Sequence, residues 1–407
     1  MKAKIFYFTL QDEQTKDEKL DWFDRTRFEE IPFDHITPDQ KANWINLTDN
    51  DFDSFLPLID KEVKAGKSQE AVFQLFSRGV ATQRDEWVYD FSKDALIERM
   101  KYFVEVYSDR LEKGERRELD IKWDRELDKY LERKIRKTFE ETKIVKSCCR
   151  PYAKQYLYFD KHFNGMTYQL PHAFPFGFIR ENWLIVCSDI AFRAGFNALA
   201  VNAIPDLHLC ATADAFQCLP LYRYDANGDR IDNLTDWGLT QFQTHYNDST
   251  ITKEAIFHYT YAVLHHPAYR SKYELNLKRE FPRLPFYPDF QQWATWGKEL
   301  MNLHLNYEMI EPYPLHRVDK GAAKAKSGVI MQESLLPTEA PDPSKPIKRT
   351  VPKAKLKAEK TEGKIILDTE TTLEGIPAAA WEYKLGNRSA LEWILDQYKE
   401  RRCIIEV

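Results

Sequence analysis

The sequence lacks the marks of several large protein classes. No stretch reaches the roughly 18 uninterrupted apolar residues that a membrane-spanning helix needs, and the N-terminus MKAKIFYFTLQDEQ turns acidic before a secretory apolar core develops. The expectation is a cytoplasmic protein with no membrane partner. Cysteines are few: Cys148, Cys149, Cys187, Cys210, Cys218 and Cys403 contain no CxxC pair, so a disulfide framework is excluded in favour of reduced, mostly buried thiols. There is no GxxxxGK[ST] loop, no GxGxxG after a strand, and no HExxH, GxSxG or kinase signature. A complete nucleotide hydrolase or dinucleotide enzyme is therefore not expected.

Weaker signals for other chemistry also fail. His208-Leu209-Cys210 with Cys218 approaches a zinc constellation but has no second close pair. His258 and His265 are seven apart on one predicted helix, where core or surface packing is the plain reading. The fragments Glu132-Arg133-Lys134 and Glu382-Tyr383-Lys384 resemble part of a nuclease site but have no suitably placed upstream aspartate. Carboxylates are abundant, yet no pair is localised, which leaves a free-standing hydrolase as the weakest of the functional readings.

What is present is a 407-residue chain with 43% hydrophobic and 30% charged residues, enough apolar mass for two or three cores. Its net charge of −5 conceals a gradient, because residues 1–62 hold fifteen acidic and eight basic side chains, −7, and leave +2 for the remainder. Phosphate responds to a local basic face rather than to the total.

The expected fold is α+β, mostly helical with a small central sheet. Residues 3–10, AKIFYFTL, read as a strand with no partner supplied upstream. From Gln69 to Leu111 helix signals dominate, interrupted at Gly79. Leu127, Tyr130, Leu131, Ile135 and Phe139 share the spacing of one helical face within 121–141. Residues 143–224 change to short β-rich runs, with a turn at Asn227-Gly228. Helices return with Thr252 and Asp289 as caps and Pro267 in a first turn, and Ser389 with Glu392 forms a capping box. Residues 311–363 are rich in proline and lysine and read as a basic flexible insertion. The division is then 1–62 as a connector, 63–310 as the main body (helical 63–142, sheet 143–230, helical 231–310), the insertion 311–363, and a closing strand and helix in 364–407.

Basic residues recur beside aromatic or amide ones in three strings: Ser77–Asp85, with Arg78, Thr82 and Arg84; Cys149–Lys154, with Arg150, Tyr152 and Lys154; and Asn276–Arg283, with Asn276, Lys278, Arg279 and Arg283. Lysine and arginine neutralise phosphates, while arginine reads guanine and asparagine reads adenine by paired hydrogen bonds. For any one string the plainer reading is a solvated face with arginine–carboxylate pairs.

The wording of five longer strings adds to this. SRGVATQRDEWVYDF, CLPLYRYDANGDRIDNLTDWGL, ITKEAIFHYTYAVLHHPAYRSKYELNLKREFPRLPFY, WGKELMNLHLNYE and IPAAAWEYKLGNRSALEWILDQYKE resemble, in order, the C-terminal specificity region of type ISP restriction–modification enzymes. These single polypeptides join a nuclease, an ATP-driven translocase, an adenine methyltransferase and a target-recognition domain. AKIFYFTLQDEQTKDEKLDWF and NWINLTDNDFDSFLPL resemble the end of the methyltransferase domain, which makes the N-terminal strand a remnant of that domain's sheet.

The resemblance implies a module that recognises double-stranded DNA for adenine methylation and linked cleavage performed elsewhere, with the methyltransferase and translocase–nuclease modules as partners. No catalytic residue and no metal site is expected in this chain. S-adenosylmethionine, ATP and Mg belong to the other modules, since no NPPY-type tetrapeptide or methyl-donor loop is present. The chain reads as a fragment, a split subunit or a truncated gene product. The candidate DNA-binding residues are Arg78, Thr82, Arg84, Arg150, Tyr152, Lys154, Asn276, Lys278, Arg279, Arg283, Asn387 and Arg388. The alternative of a different class is a docking or scaffold fragment that does not bind DNA alone.

Overall fold

The computed structural model of the chain describes residues 3–11, 14–38, 42–45, 50–114, 120–176, 181–211, 214–320 and 354–399. At its centre lies an antiparallel sheet ordered Ser77–Arg78, Phe216–Pro220, Leu184–Ser188, Ala198–Val201. Its strands read as unbroken apolar runs because both faces are covered. Side chains alternate across a strand, so Leu184, Val186, Leu199, Val201, Phe216 and Cys218 enter one core, whereas Ile185, Cys187, Ala198, Ala200 and Leu219 enter another.

The first core is closed by the helix Lys93–Glu112, which turns Leu96, Met100, Phe103 and Tyr107 inward, and by a second four-stranded sheet. That sheet is ordered Ile204–Pro205, Ile144–Arg150, Ala153–Tyr158, Tyr89–Asp90, with only its first pair parallel. The second core is built by the helices Asp236–Tyr246, Lys253–His265 and Phe290–Leu305. Gly297 permits the last two to touch: a Cβ there would lie 1.8 Å from the His258 carbonyl oxygen, so no other residue fits without parting the helices.

Two peripheral units flank this body. The C-terminal sheet is antiparallel in the order His316–Asp319, Thr371–Glu374, Lys364–Asp368, Ala354–Glu359, and Ile365, Ile376 and Trp381 form its small core. At the N-terminus, the helix Lys16–Arg25 starts at a Thr15–Glu18 capping box, beside Ile5–Tyr7 paired with Asp34–Ile36. No described residue before Phe52 is buried.

The α+β class holds, and the caps at Thr252, Asp289 and Ser389 and the first-turn Pro267 stand as expected. Several expectations need correction. The small central sheet is two four-stranded sheets. The N-terminal strand does find a partner within the chain, at Asp34–Ile36. The helix foreseen across 121–141 ends at Glu132, because Lys134 turns left-handed (φ 52°) and the Tyr107 hydroxyl donates to the Ile135 carbonyl at 2.8 Å, drawing the chain aside. The ends of the proline- and lysine-rich segment 311–363 are strands of the C-terminal sheet. The middle of that segment, 321–353, lies outside the described residues, as does Cys403. The other five cysteines are buried free thiols.

Candidate nucleic-acid interface

The first basic string departs from an edge strand. Ser77–Arg78 pairs with Phe216–Pro220, and the chain then passes the loop at Asp206, with Val80 N–H donating to the Pro205 carbonyl at 2.8 Å and Leu207 N–H to that of Val80 at 2.8 Å. Gly79 is required for this approach, since a Cβ would stand 2.3 Å from the Asp206 carbonyl oxygen. Arg78 emerges half exposed (48%), with Nε and Nη2 donating to Asp189 Oδ2 at 3.1 and 2.9 Å. Burial works against its charge, but Asp189 outweighs burial and raises its pKa.

The same string also contains residues that serve the core. Thr82 is buried and donates to Asp85. Arg84 is 0% exposed, donating from Nη1 to the Phe163 carbonyl at 2.7 Å and pairing through Nη2 with Asp124. Neither side chain is presented to a duplex, which corrects their inclusion among candidate contacts.

The third string joins the first across the loop that follows Asp189. Ala191 N–H donates to the Lys278 carbonyl at 2.8 Å, and the Phe76 and Phe281 rings meet with centroids 5.7 Å apart. The helix expected to begin with Pro267 in its first turn is two short ones, Pro267–Lys272 and Glu274–Arg279, broken at Tyr273. The break turns Asn276 inward. It is 1% exposed, and its Oδ1 accepts from Asn50 at 2.9 Å, so it too leaves the list of presented contacts. Lys278 is half-buried and pairs with Glu274 at 2.7 Å, while Arg279 is exposed.

Arg283 belongs to a strand pair with Leu56–Pro57. Its Nη1 donates to the Phe55 carbonyl at 3.3 Å and its Nε stands 3.8 Å from Glu280, so the guanidinium holds two chain segments together.

Sequence reasoning passed over Lys64. Its ammonium sits 4.3 Å from the centroid of Phe76, and burial, then repulsion from Arg78, lowers its pKa. Two cations close enough to repel each other make a surface suited to an anion. No sequence signal could have found Lys64, because twelve residues of intervening chain separate it from Ser77.

The second string is the turn of the hairpin Ile144–Arg150/Ala153–Tyr158. Arg150 donates to Asp206 at 2.9 Å, so Asp206 touches the first string through its backbone and the second through its carboxylate. Burial raises the Asp206 pKa to about 6, against the pull of Arg150. Tyr152 takes a left-handed conformation (φ 55°) and meets the Tyr383 hydroxyl at 2.8 Å. Lys154 lies 3.4 Å from Glu308 and 5.2 Å from the centroid of Tyr307.

Tyr383 leads into the hairpin Lys384–Leu385/Arg388–Ser389, whose turn exposes Asn387. Arg388 lies 3.4 Å from Asp396 and 5.0 Å from the centroid of Trp393. The structure therefore brings Arg78, Lys64 and Lys278 into one neighbourhood, and Arg150, Tyr152, Lys154 and the 384–389 hairpin into another, joined at Asp206. Among the described residues no three His, Cys, Asp or Glu side chains gather closely enough to hold a metal ion, and no helix is long and apolar enough to cross a membrane.

Residues 71–403 match the family described as the Type ISP C-terminal specificity domain. Three solved structures share the fold. DrdV, determined by cryo-electron microscopy in a DNA complex, is 43% identical with a TM-score of 0.81, over 98% of this chain and 39% of DrdV. A nuclease-deletion mutant of the Type ISP restriction–modification enzyme LlaGI, in complex with a DNA substrate mimic, is 26% identical with a TM-score of 0.74, over 98% of this chain and 35% of that one. The ATP-dependent Type ISP restriction–modification enzyme LlaBIII, bound to DNA, is 25% identical with a TM-score of 0.72, over 92% and 23%. The chain thus spans well under half the length of each. No curated protein matches it.

Proposed function

The chain belongs to the Type ISP C-terminal specificity domain family, and from that premise we propose that it is a cytoplasmic module that reads a short asymmetric sequence in double-stranded DNA. Adenine methylation and linked cleavage are the work of other modules, so the role of this chain is binding. The observation that carries the reading is the family match over 71–403, supported by the backbone hydrogen bond from Ala191 to Lys278, which ties the third string to the loop after Asp189, the partner of Arg78. The relatives described above were each solved with DNA or a DNA mimic, which supports a duplex as the ligand.

The chemistry divides the labour. Asp189 holds one edge of the Arg78 fork and offsets its charge, and Tyr168 also contacts the guanidinium, so the group is oriented in advance and loses little further freedom on binding. That arrangement suits a base edge, where geometry decides, better than a phosphate, where net charge decides. Lys64, Lys278, Arg279 and Lys154 supply phosphate contacts that set register. Arg150, Tyr152, Asn387 and Arg388 approach the duplex from the second neighbourhood. Thr82, Arg84, Asn276 and Arg283 support these residues from within. A duplex held this way leaves the target adenine to be flipped into the pocket of the methyltransferase.

The N-terminal unit supports the second partner assignment. Phe6 (58% exposed), Phe23 and Phe28 (74%) carry an apolar surface whose ring contacts among the described residues are with His35, Trp22 and Phe33, rings of the same unit. Such a patch marks an interface. It fits the reading of residues 1–62 as the end of the methyltransferase domain, docked on the rest of that module. The function is tested by measuring duplex affinity against salt: log affinity falls linearly with log salt, by about 0.9 for each phosphate contacted. A flat response would leave only a docking role.

A further inference from the structure

Four side chains form one continuous hydrogen-bonded line from the second core to the turn of the basic hairpin. Tyr261, fully buried in the helix Lys253–His265, accepts at its hydroxyl oxygen from Ala200 N–H at 2.8 Å. Its own proton is therefore directed to the remaining partner, Nδ1 of His304 in the last turn of the helix Phe290–Leu305. Burial, followed by the nearby Arg270, lowers the His304 pKa to about 4, so the ring is neutral near pH 7. A neutral imidazole that accepts at Nδ1 carries its proton on Nε2, and Nε2 lies 3.3 Å from the Tyr383 hydroxyl. Tyr383 in turn lies 2.8 Å from the Tyr152 hydroxyl.

The inner end of the line is fixed by Tyr261 and His304, while between Tyr383 and Tyr152 either hydroxyl can donate. In the polarity that continues outward, Tyr383 accepts from His304 and donates to Tyr152. The Tyr152 oxygen is then an acceptor within the protein, and its proton is the one left over for a group outside. Tyr152 also occupies a left-handed backbone conformation that is unfavourable for a non-glycine residue, and such a residue persists where its surroundings over-determine it. The Tyr307 ring, edge-on with centroids 5.0 Å apart, and the Tyr383 hydroxyl are those surroundings.

We infer that His304 is a positioning residue for DNA binding: through Tyr383 it fixes the direction of the Tyr152 hydroxyl, which donates to a phosphate oxygen of the duplex, and holds the Arg150–Lys154 turn in the bound shape. This rests on the DNA-recognition reading above, and it goes beyond it by naming Tyr152 as a phosphate donor and His304, Tyr383 and Tyr261 as the residues that aim it. Arg150 and Lys154 flank Tyr152 in the turn, each held by a carboxylate, Asp206 at 2.9 Å and Glu308 at 3.4 Å, so the turn that carries the hydroxyl also carries two cations that favour a phosphate.

The test compares the full chain with its Tyr383→Phe, His304→Asn and His304→Gln variants. Glutamine places an N–H close to the Nε2 position and keeps the donor to Tyr383; asparagine reaches only the Nδ1 position and keeps the partner of Tyr261. Duplex affinity, amide hydrogen exchange of peptides spanning residues 148–156, and thermal unfolding are measured on each. The inference expects Tyr383→Phe and His304→Asn to lower affinity about tenfold and to speed exchange in the turn, while His304→Gln does neither. It is overturned if all three behave as the unsubstituted protein, or if affinity across the set merely follows thermal stability. Should the unsubstituted chain fail to bind duplex DNA, the recognition reading falls. Exchange would still judge the positioning role, upheld by faster exchange in the asparagine and phenylalanine variants alone and refuted by unchanged exchange.

Discussion

Gly79 and Asp206 are in backbone contact so close that a methyl group on Gly79 would stand 2.3 Å from the Asp206 carbonyl oxygen. Through this contact the segment carrying Arg78 is seated against the loop whose carboxylate holds Arg150. Gly79→Ala should separate the two. The expected cost is about 1–3 kcal/mol of stability, typical of forcing an extra carbon into a packed site. Duplex affinity should fall by more than the loss of Arg78 alone explains, and calorimetric unfolding with binding anisotropy checks both.

Arg84 and Lys278 make opposite predictions although each was read from sequence as a basic contact. Arg84→Ala removes a fully buried side chain and leaves the partly exposed Asp124 carboxylate and the Phe163 carbonyl without that partner, and stability should drop by about 3 kcal/mol. Lys278→Ala removes only a surface pair with Glu274, so unfolding should scarcely change. Its affinity for all duplexes should fall alike, with the salt slope smaller by about 0.9. An unchanged slope would remove Lys278 from the phosphate contacts.

For Arg283→Ala the expected outcome is a loss of thermal stability of about 1–2 kcal/mol, because the guanidinium ties the Phe55 carbonyl to the strand Arg283–Leu284. The ratio of cognate to random DNA binding should stay the same. A selective loss on cognate DNA would return Arg283 to the readout set.

These contrasts show where the sequence was legible. Local chemistry was readable where it acts within a few residues: Ser389 and Glu392 cap a helix, whereas the helix signals read from Gln69 onward failed, since Ser77–Arg78 is a strand and no helix lies between Lys64 and Asp85. The apolar runs LIVCS and ALAV announced buried strands. Which arginine of Ser77–Asp85 faces solvent was not readable, since Arg78 and Arg84 differ only through Asp189 and Asp124, residues 111 and 40 positions away. The neighbourhood of Lys64 and the line from Tyr261 to Tyr152 were hidden for the same reason: both are made by tertiary contact. Asn276 was misplaced because a break at Tyr273 rotates the short helix that carries it.

Acid should destabilise the protein. His258 and His304 are lowered to about 4 and His265 to about 3, in each case by burial first. The unfolded chain, with histidines near 6.5, therefore binds more protons than the folded one between about pH 4 and 6.5, and stability falls as pH drops through that window. Asp206 acts in the other direction: with its pKa raised to about 6, its contribution favours the fold below about pH 4 and is lost as pH rises to 6. Three imidazoles outweigh one carboxyl, so the unfolding temperature at pH 5 should lie below that at pH 7.5. Equal or higher values at pH 5 would refute this balance.

Reading of DNA sequence by this chain is tested most directly by selection from a pool of randomised duplexes followed by affinity for the enriched site. The prediction is one short asymmetric motif, bound on the order of 10³-fold or more tightly than a scrambled duplex at the same salt, with the preference relaxed at one position by Arg78→Ala. Recovery of no motif, or equal affinity for enriched and scrambled duplexes, would contradict it.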